Sequence, residues 1–274
     1  MLTGRSVLIT GAARGLGARL ARRFAQAGAD LALSTRPESR DALDRLAESL
    51  RHDGIRTVVV TADLADPAQR ARLVDDCRAE LGRIDILVNN AGIEIPGPFA
   101  THPPECMHEL IETNLMAPMQ LARHVLPEML ERGSGHIVNI AAIAGHLPMP
   151  FHATYGAAAA GLLSWSASVR EELRGSGVGV SAIAPGFVSG TGMHARLAVR
   201  PPRAVREVPS GRVCDAVIDA ITHDRGEVLL WPGPIRPWLA LMALAPRTSA
   251  ALWRWSGLRG FLEERARRAN DGRG

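Results

Sequence analysis

The chain is predicted to fold as a doubly wound α/β protein, a parallel sheet of about seven strands with helices on both faces. Three observations carry that prediction. Short β-branched runs, most of them apolar throughout, alternate with longer amphipathic stretches, as a parallel sheet covered on both sides requires. Glycines recur just past the ends of the amphipathic stretches. A glycine-rich turn, "TGAARGLG", joins the first run to the first helical pattern.

In chain order the strand candidates are "SVLIT" (6–10), "LALS" (31–34), "TVVVTA" (57–62), "IDILVNN" (84–90), "HIVNIAA" (136–142), "GVSAIAP" (179–185) and "EVLLW" (227–231). Helical periodicity falls between them at about 15–27, 39–52, 67–81, 103–131, 153–173 and 209–223. Gly28, Gly54 and Gly82 stand where a left-handed C-cap is needed. Asp66 before Pro67 reads as an N-cap followed by a first-turn proline. Repeated βα units imply right-handed crossovers.

Composition narrows the classes. Among 274 residues 46% are hydrophobic, ample for one core, and the pattern never pauses for a linker. A single body at 1–232 with a helical extension at 233–274 is expected. All 32 basic residues are arginine, and the net charge is +4. No basic run interleaved with aromatics points to nucleic-acid readout. Cys77, Cys106 and Cys214 are far apart and read as free thiols, so neither a disulfide framework nor a metal site is expected. The first strand starts within about five residues of Met1, too early for a signal peptide. No apolar run nears the roughly 18 residues of a membrane span. A cytoplasmic protein is expected.

Gly11, Gly15 and Gly17 lie between a buried strand and a helix. The first permits a tight turn, the second lets backbone approach a diphosphate, and the third lets the helix pack close. The helix start then offers amide donors and a positive dipole end to the anion. The spacing is Thr-Gly-x-x-x-Gly-x-Gly. With "NNAG" at 89–92, Asp63 after the third strand, Asn114 in "ETNLMAP", "GHIVNI" at 135–140 and "PGFV" at 185–188, the chain resembles the short-chain dehydrogenase/reductase family over roughly 4–232. That resemblance implies a Rossmann-like fold and an oxidoreductase acting on a carbonyl/alcohol pair. It implies dinucleotide contacts from Thr10, Gly11, Arg14, Gly15, Leu16, Gly17, Asp63, Leu64, Asn90, Ala91, Gly92, Tyr155, Pro185, Gly186 and Val188, with Asp63 toward adenine. After the second strand stand Ser34, Thr35 and Arg36 rather than a carboxylate. With Arg14 nearby they suit a 2′-phosphate, so NADP(H) is favoured over NAD(H).

The resemblance also implies an Asn–Ser–Tyr–Lys catalytic set. Tyr155, the one tyrosine of the chain, and Asn114 match it; the serine and lysine positions hold Ala142 and Ala159. Three explanations follow. The chain was inactivated by substitution; or it drifted to a cyclase, isomerase, dehydratase or silent cofactor-binding role; or other side chains replace the missing ones. His146 and His152 lie between Ala142 and Tyr155, and His152 is placed to share a helix face with the tyrosine. Glu94 is expected to be a solvated loop residue.

Beyond "PGFV" a Gly/Pro/Arg-rich run to residue 211 is expected to cover the substrate, with Met193, His194 and Leu197 facing it and Arg196, Arg200, Arg203 and Arg206 in a solvated loop. Four of the five tryptophans fall within 231–255. Helices are suggested at about 237–245, 248–256 and 259–269. This tail suits packing over the substrate mouth, a subunit contact, or a membrane surface and an apolar substrate. By resemblance, a homodimer or homotetramer through helices 103–131 and 153–173 is expected.

Overall fold

Period-two alternation decides where each side chain of the first strand goes. In β1 (Ser6–Ile9), Val7 and Ile9 enter one apolar layer and Leu8 enters the other. Both layers are covered, which is why the run has no polar face. The computed structural model describes residues 2–190, 192, 199, 201–202, 206–245, 247 and 257–271.

The remaining elements follow the expected alternation. They are α1 (Gly15–Gln26), β2 (Asp30–Thr35), α2 (Arg40–His52), β3 (Thr57–Thr61), α3 (Pro67–Leu81) and β4 (Ile86–Asn89). Then come α4 (Pro104–Ile111), α5 (Ala117–Arg132), β5 (Gly135–Ile140), α6 (Ala153–Glu172) and β6 (Val178–Pro185). A short pair, β7 (Val188–Ser189) and β8 (Val208–Pro209), was not expected and precedes a helix at Ser210–Thr222 and β9 (Glu227–Leu230). The sheet runs β3-β2-β1-β4-β5-β6-β9, parallel at every pairing. Chain order reverses between β1 and β4, so the crevice for a ligand lies beyond their carboxyl ends.

The two layers account for the helices. One packs Leu20 and Phe24 of α1, Leu43 and Leu46 of α2, and Val213 and Val217 against Val7, Ile9, Leu31 and Leu33. The other packs Leu73, Val74, Leu121 and Val125 against Leu8, Leu87, Ile137 and Val180. Gly28, Gly54 and Gly82 adopt φ of 85°, 83° and 83°, and Asp66 caps α3 by accepting from the Ala68 amide at 2.8 Å.

Two buried polar devices fix the helices that border the crevice. Asn89 donates to Asn139 (2.8 Å), and Asn139 donates to Ser166 (2.9 Å), tying β4, β5 and α6 together. Arg70 of α3 is wholly buried and donates to the carbonyls of Leu64 (2.6 Å) and Ala65 (3.1 Å), to Gln120 (2.9 Å) and to Glu112. It therefore clamps the loop after β3 to the junction of α4 and α5. That junction, Glu112–Met116, is a π-helical turn, a form that gathers at functional sites.

The tail forms helices at Ile235–Leu244 and Leu258–Asp271; the one expected at 248–256 lies outside the described residues, as do Met193, His194, Arg196, Leu197, Arg200 and Arg203. Leu258, Phe261 and Leu262 pack against Met149, Phe151, Phe187, Val199 and Trp231 of the body. Among the described residues no helix is long and apolar enough to cross a membrane.

Removing one partner of a buried charged network leaves the others unsatisfied, at a cost of about 3 kcal/mol or more. Arg70→Ala is accordingly expected to lower the urea unfolding free energy by about that amount, whereas the exposed pair partner Arg174 changed to Ala shifts it by less than about 1 kcal/mol.

Candidate active site

Close packing at the first glycine loop shapes one end of the crevice. Gly11 and Gly15 adopt φ of 65° and 63°. A Cβ on Gly17 would fall 2.2 Å from the Gly11 carbonyl oxygen and 2.6 Å from Asn90 Nδ2, so only glycine lets α1 approach this near. Asn90 holds the loop, donating to the carbonyls of Thr10 (2.8 Å) and Gly11 (3.2 Å). Thr10 Oγ1 in turn accepts the amides of Asn90 and Ala91, both at 3.0 Å. The start of α1 carries no side-chain cap and no acidic residue in its first turn, which leaves its amides to an anion.

A cleft of about 750 Å³ runs from this loop to Tyr155. Of the residues the sequence singled out, Gly11, Arg14, Gly15, Leu16, Gly17, Thr35, Arg36, Leu64, Asn90, Ala91, Gly92, Asn114, His152, Tyr155, Pro185, Gly186 and Val188 line it. Thr10 and Asp63 do not line it. Thr10 lies behind the wall as a brace, and Asp63 caps its own loop by accepting the Ala65 amide at 3.0 Å. Arg36 differs from expectation as well. Rather than standing open for a phosphate, it donates to Glu109 at 2.8 Å and lies 3.5 Å from Asp63, because two carboxylates flank the end of β2 in space. The cradle and its cations fit a dinucleotide: glycines where a Cβ would collide, uncapped amides, and Arg14 and Arg36 on the wall.

At the other end, the phenol of Tyr155 is half-buried from α6, beside Ala142, Ala144, Ala159 and Met149. Burial, with a smaller influence from Glu94, raises the phenol above its ordinary range, against a downward pull from Arg265. Asn114, at the middle of the π turn, grips one residue twice: its Oδ1 accepts the Ile93 amide and its Nδ2 donates to the Ile93 carbonyl, each at 2.8 Å. That grip fixes the next residue, Glu94.

Glu94 overturns its expected place in a solvated loop. Its side chain is 11% exposed, and it accepts from His152 Nε2 at 2.9 Å and from Arg265 at 2.9 and 2.8 Å. A carboxylate paired with a guanidinium and hydrogen-bonded by an imidazole is stable away from water, whereas a lone one is not. Burial pushes the carboxyl up, but the His152 hydrogen bond and the charges of Arg265 and His152 prevail and hold it at about 2. His152 is buried at the N-cap of α6, its ring edge-on to Tyr155 with centroids 6.5 Å apart, and its Nδ1 lies 3.0 Å from the Pro150 carbonyl. The turn that delivers it is strained, since Phe151 adopts φ of 65°. The Gly97 amide donates to the Phe151 carbonyl at 2.9 Å, stitching the two loops together. His146 takes no part. It faces away from the cleft and pairs with Glu227 at 2.7 Å.

Sequence reasoning missed Arg265 and misplaced Glu94. The signal for Arg265 was present: Leu258, Phe261, Leu262, Arg265 and Ala266 recur at helical spacing on one buried face, and an arginine there needs a buried partner.

A family model described as short chain dehydrogenase matches residues 5–200. The chain is 38% identical over 277 residues to the ketoacyl reductase HetN of Nostoc sp., covering 99% of this chain and 96% of that one, so the likeness takes in the C-terminal helix. Among solved structures it resembles a short-chain dehydrogenase from Sphingobium yanoikuyae in complex with NADPH, with TM-score 0.78 and 32% identity over 90% of this chain and 95% of that one. It also resembles a metagenomic short-chain oxidoreductase in complex with NADP, with TM-score 0.72 and 32% identity over 85% of this chain and 99% of that one.

A carboxyl lowered on folding stabilises above its unfolded value and loses that contribution as pH falls through the folded one. For Glu94 the window runs from the ordinary 4.5 down to about 2. Urea midpoints of the parent chain and Glu94→Gln are expected to differ at pH 7 by up to about 3 kcal/mol in free energy and to converge as pH drops through that window.

Proposed function

This chain belongs to the short-chain dehydrogenase/reductase family, and from that premise we propose that it is an NADP(H)-dependent oxidoreductase interconverting a carbonyl and an alcohol on an apolar, acyl-type substrate. The observation that carries this reading is the single cleft joining the glycine cradle to the phenol of Tyr155. The bound nicotinamide dinucleotide supplies the hydride. The amides at the start of α1 and Arg14 would hold its diphosphate, Asn90 to Gly92 and Pro185 to Val188 would border its nicotinamide half, and Thr35 and Arg36 would serve its 2′-phosphate. The NADP and NADPH complexes of the similar structures support the choice of cofactor.

Tyr155 hands its phenolic proton to the substrate oxygen as the carbonyl is reduced. A phenol raised by burial keeps its proton at neutral pH, which suits reduction better than oxidation. Asn114 fixes the Ile93–Glu94 backbone that walls the reacting end. Met149 and Phe187 line that end, with Phe151 and Phe261 packed behind them, an apolar surface in keeping with a relative named a ketoacyl reductase. In this reading 1–232 is the catalytic body and 233–274 an extension, whose helix Leu258–Asp271 brings Arg265, Arg268 and Ala269 to the cleft.

The alanines at 142 and 159 favour a second reading, non-redox chemistry on the same fold, and one experiment separates the two. The chain is incubated with an aliphatic β-keto thioester and NADPH deuterated at its transferable positions. One deuterium in the hydroxy product is the expected outcome. Substrate loss with unchanged nicotinamide absorbance would instead establish the non-redox reading.

A further inference from the structure

Positions 142 and 159 give Tyr155 neither a hydroxyl nor an ammonium, since Ala142, Ala144 and Ala159 pack there instead. The same cleft nonetheless carries a guanidinium, delivered by a helix outside the 5–200 family match. The Arg265 side chain is 1% exposed and meets both oxygens of Glu94. Phe187 and Phe261 flank its guanidinium at 5.7 Å each, within cation–π range. The two ring nitrogens of His152 lie against Glu94 and the Pro150 carbonyl, which hold the ring beside the carboxylate.

We propose, resting on the oxidoreductase reading above, that Arg265 is a positioning residue whose charge takes the place of the absent lysine. It stabilises the phenolate that remains when Tyr155 gives its proton to the substrate oxygen. Glu94 and His152 fix the guanidinium, and the C-terminal helix is thereby part of the active site. Among the described residues, Glu94 from the loop after β4, His152 from the start of α6 and Arg265 from the C-terminal helix stand nearest the phenol, and Arg268 of that helix also lines the cleft. Arg265 favours phenolate, Glu94 opposes it, and burial raises the background against which both act.

Because the chain holds one tyrosine, a difluorinated tyrosine of lowered phenol pKa labels this site alone, and fluorine NMR follows its titration with no cofactor or substrate present. Arg265→Met is expected to move the midpoint up by about one unit or more, and Arg265→Lys to return it to near the parent value. Glu94→Gln, which removes the opposing charge, is expected to move it down, and it keeps the test decisive if Arg265→Met does not fold. A midpoint unmoved in folded Arg265→Met, one that Arg265→Lys leaves as high, or one that Glu94→Gln fails to lower, overturns the proposal. Calorimetry of NADPH binding to the parent chain separates the two levels. No binding sinks the oxidoreductase reading whatever the midpoints do, and intact binding with unmoved midpoints sinks only the role of Arg265.

Discussion

A carboxylate buried at the carboxyl edge of a parallel sheet is untenable unless cations reach it, and the arrangement around Glu94 follows from that requirement. The cation, Arg265, comes from the helix Leu258–Asp271, and a second hydrogen-bond partner, His152, from the start of α6, the helix that carries Tyr155. The strained turn at Phe151, the double grip of Asn114 on Ile93 and the apolar seat of Phe261 all serve to bring these three side chains together. The loop after β4, the helix that carries Tyr155 and the C-terminal helix are thus joined through one side chain.

The cofactor end obeys a different constraint, steric rather than electrostatic. Gly17 has no room for a Cβ, and Asn90 and Thr10 brace the loop from behind. A diphosphate there meets backbone amides that nothing else caps. Arg36, at the end of β2, is shared in this structure between Glu109 and Asp63. Under the proposed function, a 2′-phosphate would compete with two carboxylates for that guanidinium.

Much of this was legible in the sequence. The seven principal strands, the helices between them and the cap at Asp66 were read from periodicity and turn chemistry, because each depends on residues close in sequence. The glycine loop could be placed at one edge from its position between the first strand and helix, and Tyr155 from its match to the catalytic tyrosine that the family resemblance implies. What the sequence hid was long-range pairing. Glu94, flanked by isoleucines in "GIEIP", looked like a loop residue because its partners lie 58 and 171 positions away. Arg36 looked open to a phosphate because Glu109 comes from a different βα unit. His146 looked like a pocket residue because sequence proximity to Tyr155 carries no information about the side of the loop it faces.

The central claim is that Glu94 and Arg265 act as one unit joining the tail to the active site. A double-mutant cycle on the full chain, comparing urea unfolding free energies of Glu94→Gln, Arg265→Met and the double variant, tests it directly. The account predicts a coupling of about 2 kcal/mol or more, the double variant being far less damaged than the sum of the singles. Additivity within about 0.5 kcal/mol would contradict it.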